Sequence, residues 1–424
     1  GKQQYVNLEL ARQRAAHLKY KAIIDLEKNL VDFEANFERN GGKVIWAQDS
    51  ADALREIDGI ISNHNATRIV KSKTMVSEEI ELNDHLEKMG IESLETDLGE
   101  FIVQLAGEHP YHIVTPAMHK SKEDVAKLFT EKYGMPANSS PEQITAFVRK
   151  LLREKFFFAD VGITGANFIV ADTGSVCLSE NEGNGLLSMS FPRVHIVMVG
   201  IEKVIPSFKN LDLFWPLLAT HGTGQNVTAY NSIISGPRQD GETDGPKEMY
   251  VILLDNGRTE VLARKQQRRA LSCIRCGACL NTCPVYKTIG GHAYGTTYSG
   301  PIGSIITPWL KGMNEYKHLS FASSLCGSCT EVCPVKINLH ELLLYNRNDS
   351  VKLRYFSVFD AVSMYTWKTI MLNRKWMDFG NSKFKNLVLK KVFTGAWGSR
   401  RQLPEINAKN FKQLWEERRE GKVN

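Results

Sequence analysis

The sequence predicts an α/β domain with a largely parallel sheet, followed by a smaller, mainly helical, cysteine-rich domain. Three observations carry this. Between residues 43 and 257, short apolar strands alternate with amphipathic helical stretches. Seven of the eight cysteines fall between Cys273 and Cys333, which sets that stretch apart as a unit of its own. Apolar residues recur at helical spacing on both sides, over 5–40 and beyond Pro334. The expected organisation is a helical arm over 1–42, the α/β domain over 43–257, the cysteine-rich domain over 258–348, and a helical, basic segment over 349–424.

In the arm, Leu8, Leu10, Ala15, Leu18, Ile23, Leu26 and Leu30 recur at three- and four-residue steps, and Gly41-Gly42 ends the helix. It reads as a helix lying on its own domain, with docking of a partner as the alternative. Residues 43–47, 69–72, 93–96 and 112–116 read as strands, with 77–89 an amphipathic helix between them. Residues 168–171 and 175–178 flank the turn Asp172-Thr173-Gly174. Residues 191–204 supply another strand, and 249–255 a buried one before the boundary at Asn256-Gly257.

Sharp turns cluster at 97–100, 162–167 and 221–225, where the loops of open α/β sheets frame a ligand crevice. None fits a P-loop or a dinucleotide fingerprint. His195 sits inside an apolar run and reads as a core histidine rather than an acid–base catalyst. Glu100, Glu180 and Glu202 lie near turns and read as solvated carboxylates. Cys177, in an apolar strand-like stretch, reads as a buried small hydrophobe. No catalytic residue stands out.

The cysteine spacing is more specific. Cys273-x2-Cys276-x2-Cys279-x3-Cys283-Pro284 is the ferredoxin pattern, in which three thiolates hold one iron–sulfur cluster and the fourth reaches another. Cys326-x2-Cys329-x3-Cys333-Pro334 repeats it with the first position missing, and that position falls on Ser323. Crossing the fourth ligands assigns Cys273, Cys276, Cys279 and Cys333 to one cluster and Cys283, Cys326 and Cys329 to the other. His292 and Ser323 are the candidates for the vacant ligand position. Gly277 and Gly327 let the backbone approach a cluster closely, and each proline turns the chain away. A single zinc ion would take four ligands and leave three of these cysteines without a role. A disulfide scaffold does not suit a chain of this length. The expectation is two 4Fe–4S clusters, the second held by three cysteines and either labile or of the 3Fe–4S type.

The basic stretch 260–271 reads as a helix leading into Cys273, either solvated or favouring the negative clusters. The segment between the cysteine runs, rich in glycine and tyrosine, reads as a loop. Residues 350–374 carry Tyr355, Phe359, Tyr365 and Trp367 beside Lys352, Arg354 and Lys368. They read as a helix packed on the cysteine-rich domain, with a membrane or partner surface as the alternative. The tail from 375 is basic and ends in a short helix around Phe411, Leu414 and Trp415.

Hydrophobic content of 42% and charged content of 24% are ordinary for a globular protein. A net charge of +6 is modest, and with no helix-turn-helix pattern nucleic acid is not an expected partner. No apolar run reaches the ~18 residues of a membrane span. No secretory signal is visible, so thiolate chemistry leads to an expected cytoplasmic location, with association to a membrane surface as the alternative.

Five strings taken together point to a family. They are RIVKSKTMVSEEI, ETDLGEFIVQL, SGPRQDGETDGPKEMYVILLDNGR, CIRCGACLNTCPVYKTIGGHAYG and ASSLCGSCTEVCPVKI. The chain resembles the lactate utilization B family, in which a lactate-utilization α/β domain precedes a two-cluster ferredoxin-type domain. The resemblance implies a sheet domain of the sugar-phosphate isomerase and CoA-transferase type. It implies an electron-transfer subunit of a bacterial system that oxidises L-lactate to pyruvate. Its partners would be a cysteine-rich iron–sulfur subunit and a smaller subunit with the same α/β domain. The cysteines map onto the clusters as assigned above, and the serine at 323 becomes a family feature.

Two other functions compete with the electron carrier. The α/β domain itself could bind and help oxidise a small hydroxy acid at the loops near Glu100, Gly165–Asn167 and Gly222–Gly224, although no flavin or nicotinamide motif is visible. Alternatively, the clusters could only staple a scaffold for partner subunits.

Overall fold

Among the described residues, 1–398 and 401–421 of the computed structural model, ten strands form two sheets. They are β1 (Lys43–Ala47), β2 (Arg68–Lys71), β3 (Glu92–Glu95), β4 (Val161–Thr164), β5 (Phe168–Val170), β6 (Ser175–Glu180), β7 (Val194–Gly200), β8 (Val204–Ile205), β9 (Tyr230–Ile234) and β10 (Glu248–Leu254). Residues 399–400 and 422–424 of the expected C-terminal segment lie outside the described residues. Six strands make an all-parallel sheet in the order β1-β10-β7-β4-β2-β3. The other four form a mixed sheet, β8-β5-β6-β9, in which the expected hairpin around Asp172-Thr173-Gly174 pairs β5 with β6 antiparallel.

Strand composition explains the layering. A parallel sheet covered on both faces needs apolar side chains at successive positions. In β7, Ile196 and Met198 join Ile57, Ile60 and Ile69 in one core, while Val197 and Val199 join Phe33, Phe37, Ile169 and Val176 in another. In β10, Ile252 and Leu254 divide from Val251 and Leu253 in the same way. Helix Ser50–Asn63 covers the first face, and the small sheet with helix Leu26–Arg39 covers the second.

Glycine at 162 is required by close approach. A Cβ built there would lie 1.7 Å from the Ser188 carbonyl oxygen, a backbone atom of helix Asn184–Ser190 that cannot swing aside. Gly162→Ala is therefore expected to cost about 1–3 kcal/mol. An unchanged denaturant midpoint for that variant would show that the helix can back away.

Several expected elements change. The arm is two helices, Leu8–Ile24 and Leu26–Arg39, broken at Asp25. The first lies on its own protein: Arg12 donates to the Cys333 carbonyl, and buried Lys19 donates to the carbonyls of Glu202 and Val204 at 2.5 and 3.0 Å. The helix expected over 77–89 is Met75–Glu79 and Leu82–Lys88, separated at Glu81, which has φ 56°. Residues 112–116 form no strand, because His112 Nδ1 accepts from the amides of Val114 and Thr115 at 3.0 and 3.2 Å and closes a turn. The basic stretch is helix Arg258–Ala263 followed by a 3-10 turn over Gln267–Ser272. The loop expected between the cysteine runs gives way to helix Gly300–Leu310.

Residues Gly1–Ser350 form one compact unit, and those from Val351 onward a second. The second contains helices Val358–Leu372, Arg374–Asp378, Ser382–Trp397 and Phe411–Arg419. In helix Val358–Leu372, Phe359 and Tyr365 are exposed. No helix among the described residues is long and apolar enough to cross a membrane.

Candidate functional site

The two cysteine runs fold as repeats of one another. Short helices Ala278–Thr282 and Ser328–Val332 pack together, each behind a left-handed glycine, Gly277 at φ 81° and Gly327 at φ 85°. The residues two positions earlier are also left-handed, Arg275 at φ 60° and Leu325 at φ 54°. Such conformations cost a non-glycine residue about 1–3 kcal/mol, so their recurrence shows that the surroundings impose them.

Backbone amides turn toward sulfur. The Arg275 amide donates to Cys273 Sγ at 3.3 Å, the Tyr286 amide to Cys283 Sγ at 3.5 Å, and the Ile337 amide to Cys333 Sγ at 3.3 Å. In the second repeat, Ser323 Oγ stands where Cys273 Sγ stands in the first, accepting from the Leu325 amide at 3.2 Å. His292 goes elsewhere: its Nε2 bonds the His109 carbonyl at 2.8 Å, and its ring meets Tyr111 and His119.

All eight cysteines are free, and seven of them lie in these two repeats. Burial raises the Cys279 thiol well above its usual range, and Cys273, Cys276 and Cys333 add to the rise. Cys276 is raised by burial and then by Cys273 and Cys333. Burial pushes Cys329 up to about 11, with further contributions from Cys283 and Cys326. Cys276, Cys279, Cys329 and Cys333 are buried, whereas Cys326 is exposed. Seven soft donors in two groups, with amides directed at sulfur and glycines where the chain turns, fit iron–sulfur clusters. Cys177 belongs to neither group; it is buried in β6, and burial pushes its thiol to about 12.

The cysteine layer packs on the carboxyl ends of the parallel strands, where open α/β sheets bind ligands. Arg258, just after β10, donates to Glu79 from Nη1 and Nη2 at 2.9 and 2.8 Å and to Glu202 from Nε at 2.6 Å. Tyr298, from between the cysteine runs, donates to Glu79 at 2.5 Å. Arg275 reaches Glu202 at 3.4 Å and stacks on the Tyr298 ring at 4.6 Å. Burial alone would raise the Glu202 carboxyl, but Arg258, Arg275 and Lys203 hold it at about 2.

Glu202 and Glu100 are thus not the solvated carboxylates expected, being 1% and 4% exposed, and Glu180 is half-buried with its oxygens on the amides of Gly185 and Leu186. A charge beside a strand end is read as solvated only when no second layer covers that end, and here the cysteine layer does. Glu100 lies beside Glu95 and Glu78, and burial followed by the Glu95 charge pushes it well up. Lys71 binds Glu95 at 2.6 Å. His195 is a core residue, bonded to Thr164 Oγ1 at 2.8 Å and pushed by burial to about 3, hence neutral.

Two cavities open at these strand ends. The larger, about 890 Å³, is lined by Glu95, Glu100, Tyr111 and His292 among others. The second, about 410 Å³, brings Gly165–Asn167 and Gly222 together with Lys203, Arg275 and Cys276. Lys203, Arg258 and Arg275 are the residues that sequence reasoning missed. Their only sequence signal was position, immediately after a strand or inside the first cysteine run.

The family described as LUD domain matches residues 30–254, and the 4Fe-4S dicluster domain matches 269–337. "Lactate utilization protein B" of Bacillus cereus strain AH820 is 46% identical over 341 residues, covering 80% of this chain and 72% of that one. "Lactate utilization protein B 2" of Bacillus mycoides strain KBAB4 gives the same identity and coverage. Among solved structures, a DUF162 family protein from Deinococcus radiodurans aligns at 13% identity with a TM-score of 0.31, covering 54% of this chain and 98% of that one. Sheet and cysteine layer are therefore matched separately by domain, with relatives matching 80% of the chain, and the chain belongs to the LUD domain family, among its members that carry a 4Fe–4S dicluster domain behind the sheet.

Proposed function

We propose that this chain is the iron–sulfur electron-transfer component of a system that oxidises L-lactate to pyruvate. The observation that supports the reading is the pair of matching cysteine repeats, packed on one another with backbone amides directed at the sulfurs of Cys273, Cys283 and Cys333. Cys273, Cys276, Cys279 and Cys333 would hold one 4Fe–4S cluster and Cys283, Cys326 and Cys329 the other. The names of the relatives support lactate as the pathway. A cluster, when bound, supplies one-electron transfer at a potential set by charge, hydrogen bonds and solvent exposure.

The chain's residues set those conditions unequally. Cys276, which lines the cavity at the strand ends, and Cys279 are both buried. Arg275 and Lys203 place positive charge beside Cys273. Cys326 is exposed, so the second group is the one that meets a partner at the surface. The partners in this reading are a cysteine-rich iron–sulfur subunit and a smaller subunit with the same α/β domain. Iron and sulfide counting on the anaerobic protein, with EPR of the reduced state, tests the assignment. Zinc in place of iron, or clusters that dithionite never reduces, would end it.

Ser323 bears on the second group. Its hydroxyl occupies the position of a ligand in the repeat, so the native site has at most a hard oxygen donor or an external ligand there. Ser323→Cys is expected to complete a four-thiolate site, shifting the EPR signal of the second cluster and slowing its loss of iron in air. Spectra and iron loss identical to wild type would mean that residue 323 does not face the cluster.

A further inference from the structure

We infer that Glu108, His119 and His292 form a binding site for a divalent first-row transition ion, separate from the cysteine repeats, at the rim of the cavity of about 890 Å³. One donor atom from each of the three lies within 4.8 Å of the others, so small side-chain rotations bring them onto an ion with bonds of about 2.0–2.2 Å. Glu108 Oε2 is already 2.7 Å from His119 Nε2. Lys120 holds the other carboxylate oxygen at 2.5 Å, which leaves Oε2 to the histidine side and keeps the carboxyl below its usual range. His292 Nε2 bonds the His109 carbonyl at 2.8 Å; a carbonyl only accepts, so in the neutral ring Nδ1 keeps its lone pair. Histidines that bind metal commonly donate their other nitrogen to a carbonyl in this way. His119 stacks on Tyr111 at 5.0 Å between centroids and meets the His292 ring at 4.8 Å, so neighbouring rings fix both imidazoles. Its Nδ1 is buried and has no hydrogen-bond partner that would draw the ring away.

The donor set defines the class of ion. Two imidazoles and one carboxylate suit zinc or ferrous iron and leave at least one coordination position open. The cavity gives room there for water or for the oxygen of a ligand. Magnesium and calcium prefer sites built of oxygen alone. The surroundings favour a cation, since eight carboxylates and two lysines line the cavity. Glu108 and His292 are exposed, so an ion can enter from solvent. The ligands come from two places: Glu108 and His119 stand between helices Leu98–Ala106 and Lys122–Tyr133, and His292 between the cysteine runs. A bound ion would clamp the turn over the first cysteine run, which Tyr286 already holds through the Tyr111 carbonyl, to the segment that follows that run. No cysteine takes part, so the site stands whether or not the cysteines carry electrons.

Titration of the anaerobic, cluster-loaded, full-length protein, first treated with EDTA and desalted, tests this with zinc, magnesium and calcium as probes. The expected result is one zinc ion bound per chain above the cluster iron, with magnesium and calcium silent. His292→Ala and Glu108→Gln should each weaken zinc binding by at least about a hundredfold, with iron and sulfide content unchanged. His85→Ala, which removes a histidine paired with Asp58 at 2.8 Å, should leave zinc binding as it is. Zinc-edge X-ray absorption on the wild type should show nitrogen and oxygen neighbours at about 2.0–2.2 Å and no sulfur at about 2.3 Å, a readout that does not depend on any variant folding. Failure of chains with complete clusters to retain zinc would overturn the site. So would equal binding by His292→Ala and wild type, a preference for magnesium, or a sulfur neighbour, which would put the ion on the cysteines. None of these outcomes touches the electron-transfer reading, which fails on iron content and dithionite reduction instead.

Discussion

Cys279→Ser is expected to abolish lactate-dependent dye reduction by the assembled system and to lower iron from about eight to about four atoms per chain. Cys279 is buried, and Cys273, Cys276 and Cys333 all act on its thiol. A serine hydroxyl is a harder and weaker donor, ill matched to iron that also binds sulfide. The site would thus lose one of its four soft ligands. The damage should reach beyond one cluster. Helix Ala278–Thr282 packs directly on Ser328–Val332, and in the proposed assignment Cys333 crosses to the first group while Cys283 crosses to the second. Losing the first cluster removes a link between the repeats, so the second should be lost faster on exposure to air. The readouts are iron and sulfide content, reduced-state EPR and turnover with the companion subunits. Full iron content with unchanged turnover would contradict the ligand assignment.

The cysteine layer was legible because its chemistry is written in short-range spacing. Three residues between Cys279 and Cys283, or two between Cys326 and Cys329, fix how a loop can wrap a metal whatever the rest of the chain does. The parallel sheet was legible for a similar reason, since β7 and β10 are continuous apolar runs. The ion-pair network at the strand ends was not. Arg258 meets Glu79 across 179 positions, and that meeting depends on β10 and β2 lying in one parallel sheet with their carboxyl ends on the same side. Local pattern cannot distinguish such a carboxylate from a solvated one. The stretch at 112–116 failed differently. Its alternation suits a strand, but His112 supplies a side-chain acceptor that captures two amides locally. That turn then lies against Gly277, with the Tyr286 hydroxyl bonded to the Tyr111 carbonyl at 2.8 Å, so a missed strand becomes part of the cover over the first cysteine run.

Arg258→Met is expected to destabilise the protein by about 3–5 kcal/mol, the cost of leaving buried carboxylates without their counter-charge. Arg258, Glu79 and Glu202 are each about 1–2% exposed at their side chains, so solvent screening does not soften the loss. The three sit after β10, β2 and β7, and Tyr298 joins them from the cysteine layer, so one guanidinium ties the sheet to its cap. In the variant, Glu202 keeps Arg275, but Glu79 keeps only the neutral Asn256 and Tyr298. Its folded carboxyl should then lie above the unfolded value near 4.5 instead of below it. A group raised on folding contributes stability at low pH and loses it as pH rises, the reverse of the wild-type pair. The deficit relative to wild type should therefore be larger at about pH 8 than at about pH 5. Glu79→Met combined with Arg258→Met should cost less than Arg258→Met alone, because the stranded charge is gone. Denaturant unfolding of the anaerobic, cluster-loaded chain measures all three. Additive costs with no dependence on pH would show that the carboxylate does not depend on this arginine.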